Sequence, residues 1–113
     1  IIMMSSVTGP VMAIRSDVAY ATSKAALVGL TKALAVDEAP RGVTANAVAP
    51  GWIATTSQLE TEVGHGAATP IGRSATSDEV AAVVAWLATR EASYVTGPVI
   101  VVDGGNSIAE ERG

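Results

Sequence analysis

Three short aliphatic runs, Ile1 to Met4, Val43 to Ala49 and Val99 to Val102, alternate with two longer stretches whose apolar residues recur at helical spacing. This β–α–β–α–β order, free of repeats and low-complexity linkers, restricts the possible folds more than any other feature. Strands separated by helices cannot pair through hairpins, so the pattern predicts a parallel sheet with right-handed crossovers. Parallel strands are ordinarily covered on both faces. Three strands with only two helices leave a hydrophobic edge open. The expectation is therefore an α/β chain that forms part of a larger sheet. The opening Ile1-Ile2-Met3-Met4, an apolar strand pattern with no polar residues before it, carries the same expectation of a missing upstream segment.

Local signals set the boundaries. Ile1 to Met4 reads as a buried strand ending at Ser5-Ser6, and Val7 to Asp17 as a loop turning at Gly9-Pro10. A helix is expected from Asp17 to Ala39, capped by Asp17 or Ser16. Its core stripe would be Leu27, Leu30 and Leu34, and Pro40 and Gly42 would stop it. Pro50-Gly51 breaks the second strand. Trp52 to Thr69 is polar and irregular, with a short helix expected near Ser57–Val63. Thr76 and Glu79 have the spacing of a capping box opening the next helix. Val80, Val83, Val84 and Leu87 form its stripe. Tyr94 to Pro98 is a turn, Asp103-Gly104-Gly105 closes the last strand, and Asn106 to Gly113 is a polar tail.

Composition excludes several function classes. With 113 residues the chain allows one small domain, and 49% hydrophobic residues supply a core. A net charge of −4 argues against nucleic-acid or anionic-membrane partners, which need basic clusters. Without cysteines there is no disulfide or thiolate metal site, and one histidine makes no metal site of its own. No apolar run is long enough for a transmembrane helix. The expected location is cytoplasmic.

The sharpest chemical feature is Tyr20-Ala21-Thr22-Ser23-Lys24. Residues four apart on a helix lie about 40° apart around its axis and share a face. A phenol titrates near pH 10, too high for a base at neutral pH. A neighbouring ammonium favours its phenolate and suits it to acid/base work. Alone, the motif reads as a surface Tyr on a Lys stem. Its setting changes that: Ser6 ends a strand, and open α/β sheets hold ligands at strand carboxyl ends. A hydroxyl there can polarise a carbonyl. Ser5 competes for the same role.

Ser6-Val7-Thr8-Gly9 after a strand, followed by the helix AYATSKAALVGLTKALA, resembles the active-site segment of the short-chain dehydrogenase/reductase family. The likeness is to the classical type that includes the 3-oxoacyl-[acyl-carrier-protein] reductases. It continues through Val43 to Gly51, Trp52-Ile53-Ala54-Thr55, Tyr94-Val95-Thr96-Gly97 and Val101 to Gly105, covering Ile1 to Asn106. The resemblance implies an α/β fold, the C-terminal half of a Rossmann-like doubly wound parallel sheet. On this reading residues 1–106 are the catalytic half of one domain, and residues 107–113 are the tail.

The resemblance also implies roles. The activity is NAD(P)-dependent interconversion of a carbonyl and a secondary alcohol. Tyr20 is the acid/base, Lys24 favours the Tyr20 phenolate and reaches the nicotinamide ribose, and Ser6 orients the carbonyl. Pro50, Gly51, Ile53 and Thr55 line the nicotinamide side. The cofactor is NAD or NADP, the substrate is a small carbonyl or alcohol, and the full-length protein is a homo-oligomer, a dimer or tetramer. Gln58 to Thr69 takes the place of the family's substrate loop. The departures are the Gly-rich TGxxxGxG turn, the residue that chooses NAD or NADP, the Asn-Ala-Gly strand motif and the fourth catalytic Asn. The family places these before residue 1, so the isolated chain is expected to be inactive, at most an interaction module. Asn46 and Asp103 read as structural, His65 as a solvent-facing loop residue and Trp86 as packing. Trp52 is placed equally well in a core or at the substrate pocket.

Overall fold

The computed structural model describes residues 1–111. Along them run β1 (Ile2–Met4), α1 (Val18–Glu38), β2 (Asn46–Pro50), β3 (Ile53–Ala54), α2 (Glu60–Ala67), β4 (Ala75–Thr76), α3 (Ser77–Leu87) and β5 (Val99–Val102). Three single-turn 3₁₀ helices span Ala39–Arg41, Arg90–Ala92 and Asn106–Ile108. The main sheet has the order β1-β2-β5 with every pair parallel, as the alternating pattern predicts. Ile2 pairs with Asn46, Met4 with Val48, and Val48 in turn with Ile100.

Register decides which side chains meet. Ile2, Val48, Ile100 and Val102 share one face and pack with Val80, Val83, Val84 and Leu87 of α3. The α3 stripe is thus the one its spacing predicts. On the other face, the Ser5 hydroxyl donates to the Lys24 carbonyl of α1 at 2.8 Å. The central strand is sealed between them: Asn46 to Ala49 are all buried. The Asn46 Nδ2 donates to the Val95 carbonyl, which ties β2 to the loop before β5 and fits a structural role. Its Oδ1 is buried with no hydrogen-bond partner among the described residues.

Several expectations are corrected. The first strand is not buried: Ile1 and Met4 are both exposed, because β1 is an outer strand with β2 as its one neighbour. In α1, Thr31 and Ala35 are the buried positions and Leu30 is exposed. Leu27 and Leu34 lie partly buried on the inner face, which the sheet selects and leucine spacing does not. Asp17 occupies the N-cap position yet makes no capping hydrogen bond. Its backbone is at φ −114, ψ 35, and Ser16 before it is left-handed at φ 69, so neither has the extended conformation a capping side chain needs. The helix expected near 57–63 lies instead at Glu60–Ala67. The second strand begins at Asn46, three residues after Val43. Trp86 is half exposed. β3 and β4 form a separate two-stranded parallel sheet that no sequence pattern announced.

The capping box is present as expected. Thr76 Oγ1 accepts from the Glu79 amide at 3.2 Å, and Glu79 Oε1 accepts from the Thr76 amide at 2.8 Å. Arg73 adds a two-pronged pair to the same carboxylate at 2.7 and 2.9 Å. At the other end, Asp103 Oδ1 accepts from the Gly105 amide and Oδ2 from the Ser107 amide, fixing the terminal turn. Asn106 is buried in that turn, so ordered chain continues beyond Asn106, where the tail was expected to start. Arg112 and Gly113, the end of that tail, lie outside the described residues.

Candidate active site

Parallel strands deliver their carboxyl ends to one side of the sheet, and backbone hydrogen bonds here tie those ends together. The Ser5 amide donates to the Val48 carbonyl, the Val7 amide to that of Pro50, and the Gly51 amide to that of Val102. The turns after β1, β2 and β5 therefore converge. The approach is close enough that only glycine fits at position 51: a Cβ there would lie 2.7 Å from the Asp103 Cβ and 3.0 Å from its Cα. Gly9, at φ +107, likewise lets the loop after β1 press against the Ala21 backbone of α1.

A cavity of about 530 Å³ opens at this convergence. Ser6, Val7 and Thr8 form its wall from the end of β1, Asp17 and Tyr20 that from the start of α1, and Gly51, Trp52, Ile53 and Thr55 that beyond β2. Gln58 and Glu62 close it from the α2 side, and Met12, Ile14 and Asn106 complete it. Five of the residues singled out in the sequence thus share one cavity: Ser6, Tyr20, Gly51, Ile53 and Thr55. Two do not line it. Lys24 lies beneath Tyr20, its Nζ donating to the Met4 carbonyl at 3.1 Å and standing 5.5 Å from the centre of the Tyr20 ring. Pro50 contributes its carbonyl to Val7.

Hydrogen bonding separates the two candidate serines. The Ser5 hydroxyl spends its proton on the Lys24 carbonyl. The Ser6 oxygen accepts from the Thr8 amide at 3.1 Å, which leaves its own proton free to donate into the cavity. Thr55 Oγ1 lies 3.3 Å from Ser57 Oγ, so one hydroxyl of the pair also retains a free proton.

The α2 side departs from expectation. His65 is exposed but helical, and its ring stacks on Trp52 with centroids 4.9 Å apart and planes 15° from parallel. Trp52 is thereby placed at the cavity. Gln58 Nε2 donates to Ser74 Oγ at 2.9 Å and Glu62 Oε2 accepts from the Leu59 amide at 2.7 Å, so the start of α2 is anchored. Gln58 and Glu62 belong to the segment read as the substrate loop, whereas Met12, Ile14 and Asn106 were given no site role from the sequence. Asn106 and Met12 come together across almost the whole chain, Nδ2 to Sδ at 3.7 Å, a contact for which no local pattern exists.

Comparison with known proteins bears on the family and the fold. Residues 1–107 match the family described as enoyl-(acyl carrier protein) reductase. The chain is 42% identical over 124 residues to oxidoreductase UcpA of Salmonella typhimurium, covering 97% of this chain and 46% of that protein. Its structure is similar to that of a short-chain dehydrogenase/reductase variant from Serratia marcescens, with a TM-score of 0.86 and 38% identity over 94% of this chain and 44% of that one. It is also similar to BdcA in complex with NADPH, with a TM-score of 0.87 and 39% identity over 97% of this chain and 46% of the other. The chain spans less than half the length of these relatives. With nearly all of its residues matched and its strand-end cavity in the corresponding fold, the chain belongs to the short-chain dehydrogenase/reductase family.

Proposed function

We propose that this chain supplies the proton-transfer half of an NAD(P)-dependent oxidoreductase acting on a small carbonyl compound or secondary alcohol. The observation that carries the reading is the shared cavity of Ser6 and Tyr20, in which one free hydroxyl proton and one phenol face the same space at the carboxyl ends of parallel strands. The nicotinamide supplies or receives the hydride when bound. The residues present suit such a group: Ile53 and Trp52 offer an apolar wall, and the Thr55 and Tyr20 hydroxyls offer hydrogen bonds beside it.

In the direction of reduction, the Ser6 hydroxyl donates to the substrate carbonyl oxygen and polarises it. Tyr20 delivers its phenolic proton to that oxygen as negative charge develops there. Lys24, held to the end of β1 by the Met4 carbonyl, places its ammonium near the Tyr20 ring and favours the phenolate left behind. Its remaining protons can reach a ribose hydroxyl. Gly51, Ile53 and Thr55 hold the nicotinamide against the cavity wall, and the Pro50 carbonyl keeps that turn fixed to the loop carrying Ser6. Oxidation runs through the same groups in reverse.

The cofactor is NAD or NADP. The chain carries no Gly-rich TGxxxGxG turn, and nothing in it selects between the two. A homo-oligomer is part of the reading; α1 leaves Val18, Leu30 and Val36 exposed. A cytoplasmic setting goes with it; among the described residues no helix is long and apolar enough to cross a membrane.

The test is Tyr20→Phe in a full-length protein carrying this chain. Ketone reduction should fall by about a hundredfold or more, while NAD(P)H binding by fluorescence titration stays within a few-fold. Retention of most of the rate would remove Tyr20 from the chemistry.

A further inference from the structure

The charged groups around the cavity are one-sided. Asp17 and Glu62 line it, and among the described residues no lysine or arginine does. Lys24, behind Tyr20, is turned to the Met4 carbonyl. The two carboxylates are also differently engaged. Glu62 uses Oε2 to hold the Leu59 amide at the start of α2. Asp17 sits where a capping residue would, yet its carboxylate caps nothing and makes no hydrogen bond or ion pair with the described residues; only its backbone carbonyl is used, by the Ala21 amide. It is only partly exposed and lies three residues before Tyr20, at the same end of α1. A carboxylate that lines the cavity shared with Tyr20 and has no protein donor is open to a donor on a ligand.

We propose that Asp17 determines the specificity of this cavity by accepting a hydrogen bond from a second group on the carbonyl substrate, a hydroxyl or an ammonium. Substrates bearing a carboxylate or phosphate at that place are turned away. The inference rests on the oxidoreductase reading of the same cavity and extends it from reaction class to substrate class. The shared requirement is a donor; the charge on Asp17 makes the ammonium the stronger partner and the hydroxyl the more tolerant one.

The test uses a full-length protein with its nicotinamide cofactor and three straight-chain ketones that carry, one carbon beyond the carbonyl, a hydroxyl, an ammonium or a carboxylate. The first two should have kcat/KM at least tenfold above the third. Asp17→Asn keeps an acceptor oxygen and loses the charge. It should lower kcat/KM for the ammonium ketone about tenfold or more, chiefly through KM, and for the hydroxyl ketone only a few-fold. Asp17→Lys should raise the carboxylate ketone above the other two. Melting temperature and NAD(P)H affinity should stay unchanged in Asp17→Asn, since the residue caps nothing. If Asp17→Asn leaves the ratios among the three within twofold of wild type, or shifts cofactor affinity instead, the specificity role is wrong. If no ketone or corresponding alcohol turns over with either cofactor, the oxidoreductase reading fails on its own. Calorimetric binding of the ammonium compound then decides the role of Asp17: a tenfold loss on Asp17→Asn sustains it, and its absence overturns it.

Discussion

The Ser5 hydroxyl reaches across nineteen residues of chain to the carbonyl of Lys24, at 2.8 Å. This bond pins the strand end to the helix that carries both Tyr20 and Lys24, so Ser5 is a fastening, whereas the Ser6 hydroxyl keeps its proton, as its proposed role requires. Replacing each by alanine in a full-length protein carrying this chain should separate the roles. Ser5→Ala should lower stability by about 1 kcal/mol in chemical denaturation and reduce activity only modestly. Ser6→Ala leaves the buried Thr8 amide without its acceptor and should cost about as much stability, but it should also cut kcat by about a hundredfold. The opposite pattern would exchange their assignments.

Gly51 holds the turn after β2 against Asp103, at separations no side chain can share. Gly51→Ala should therefore push apart two turns that both line the cavity, one through Gly51 and the other through Asn106. The expected cost is about 2 kcal/mol or more, together with weaker nicotinamide binding, measured by thermal unfolding and by cofactor titration on the same sample.

Glu79 gives a pH signature. Its carboxyl is held down at about 2, first by the Arg73 hydrogen bonds and then by the Thr76 amide. A depressed carboxyl stabilises the fold above its unfolded value near 4.5 and loses that contribution as pH falls toward 2. Thermal unfolding of wild type and Glu79→Gln should differ most above about pH 4.5, wild type being the more stable, and converge toward pH 2. Both partners are exposed, so raised salt should shrink the gap.

Thr76→Ala removes the other half of the box and leaves the Glu79 amide at the N-terminus of α3 to water. A loss of about 1 kcal/mol is expected. Because α3 carries Val80 and Leu87 into the core, the loss should appear in global unfolding rather than in local fraying alone.

What could be read from the sequence follows the range of the interactions. The box at Thr76 and Glu79, the break at Pro50-Gly51 and the Tyr20–Lys24 pair are set by residues within a turn of one another, and each has its expected form. The β-α-β-α-β order survives because periodicity and chain breaks are local too. The pairing of Ile53–Ala54 with Ala75–Thr76 joins two dipeptides across an intervening helix, and nothing within either dipeptide signals it. Leu30 was assigned to the core by spacing, but the sheet chose the face with Thr31 and Ala35. The Gly-rich Glu60–Ala67 has poor intrinsic helix propensity; Gln58, Glu62 and the Trp52 ring hold it in place. The cavity was legible through five residues and illegible through Met12, Ile14 and Asn106, which reach it by folding alone. Asp17 was read as a cap from its residue type, and its φ and ψ deny it that role.

The stacked pair of Trp52 and His65 equips the molecule with an indicator of its own. The chain has two tryptophans, one on the cavity wall in face-to-face contact with an imidazole and one, Trp86, half exposed on the helix behind the sheet. An indole emits differently on an imidazole than against solvent. Any ligand that lifts or tightens the helix over the cavity will thus write its arrival into the ultraviolet emission of Trp52, while Trp86 stays as the unmoved standard, and occupancy can be followed without a dye, a label or turnover.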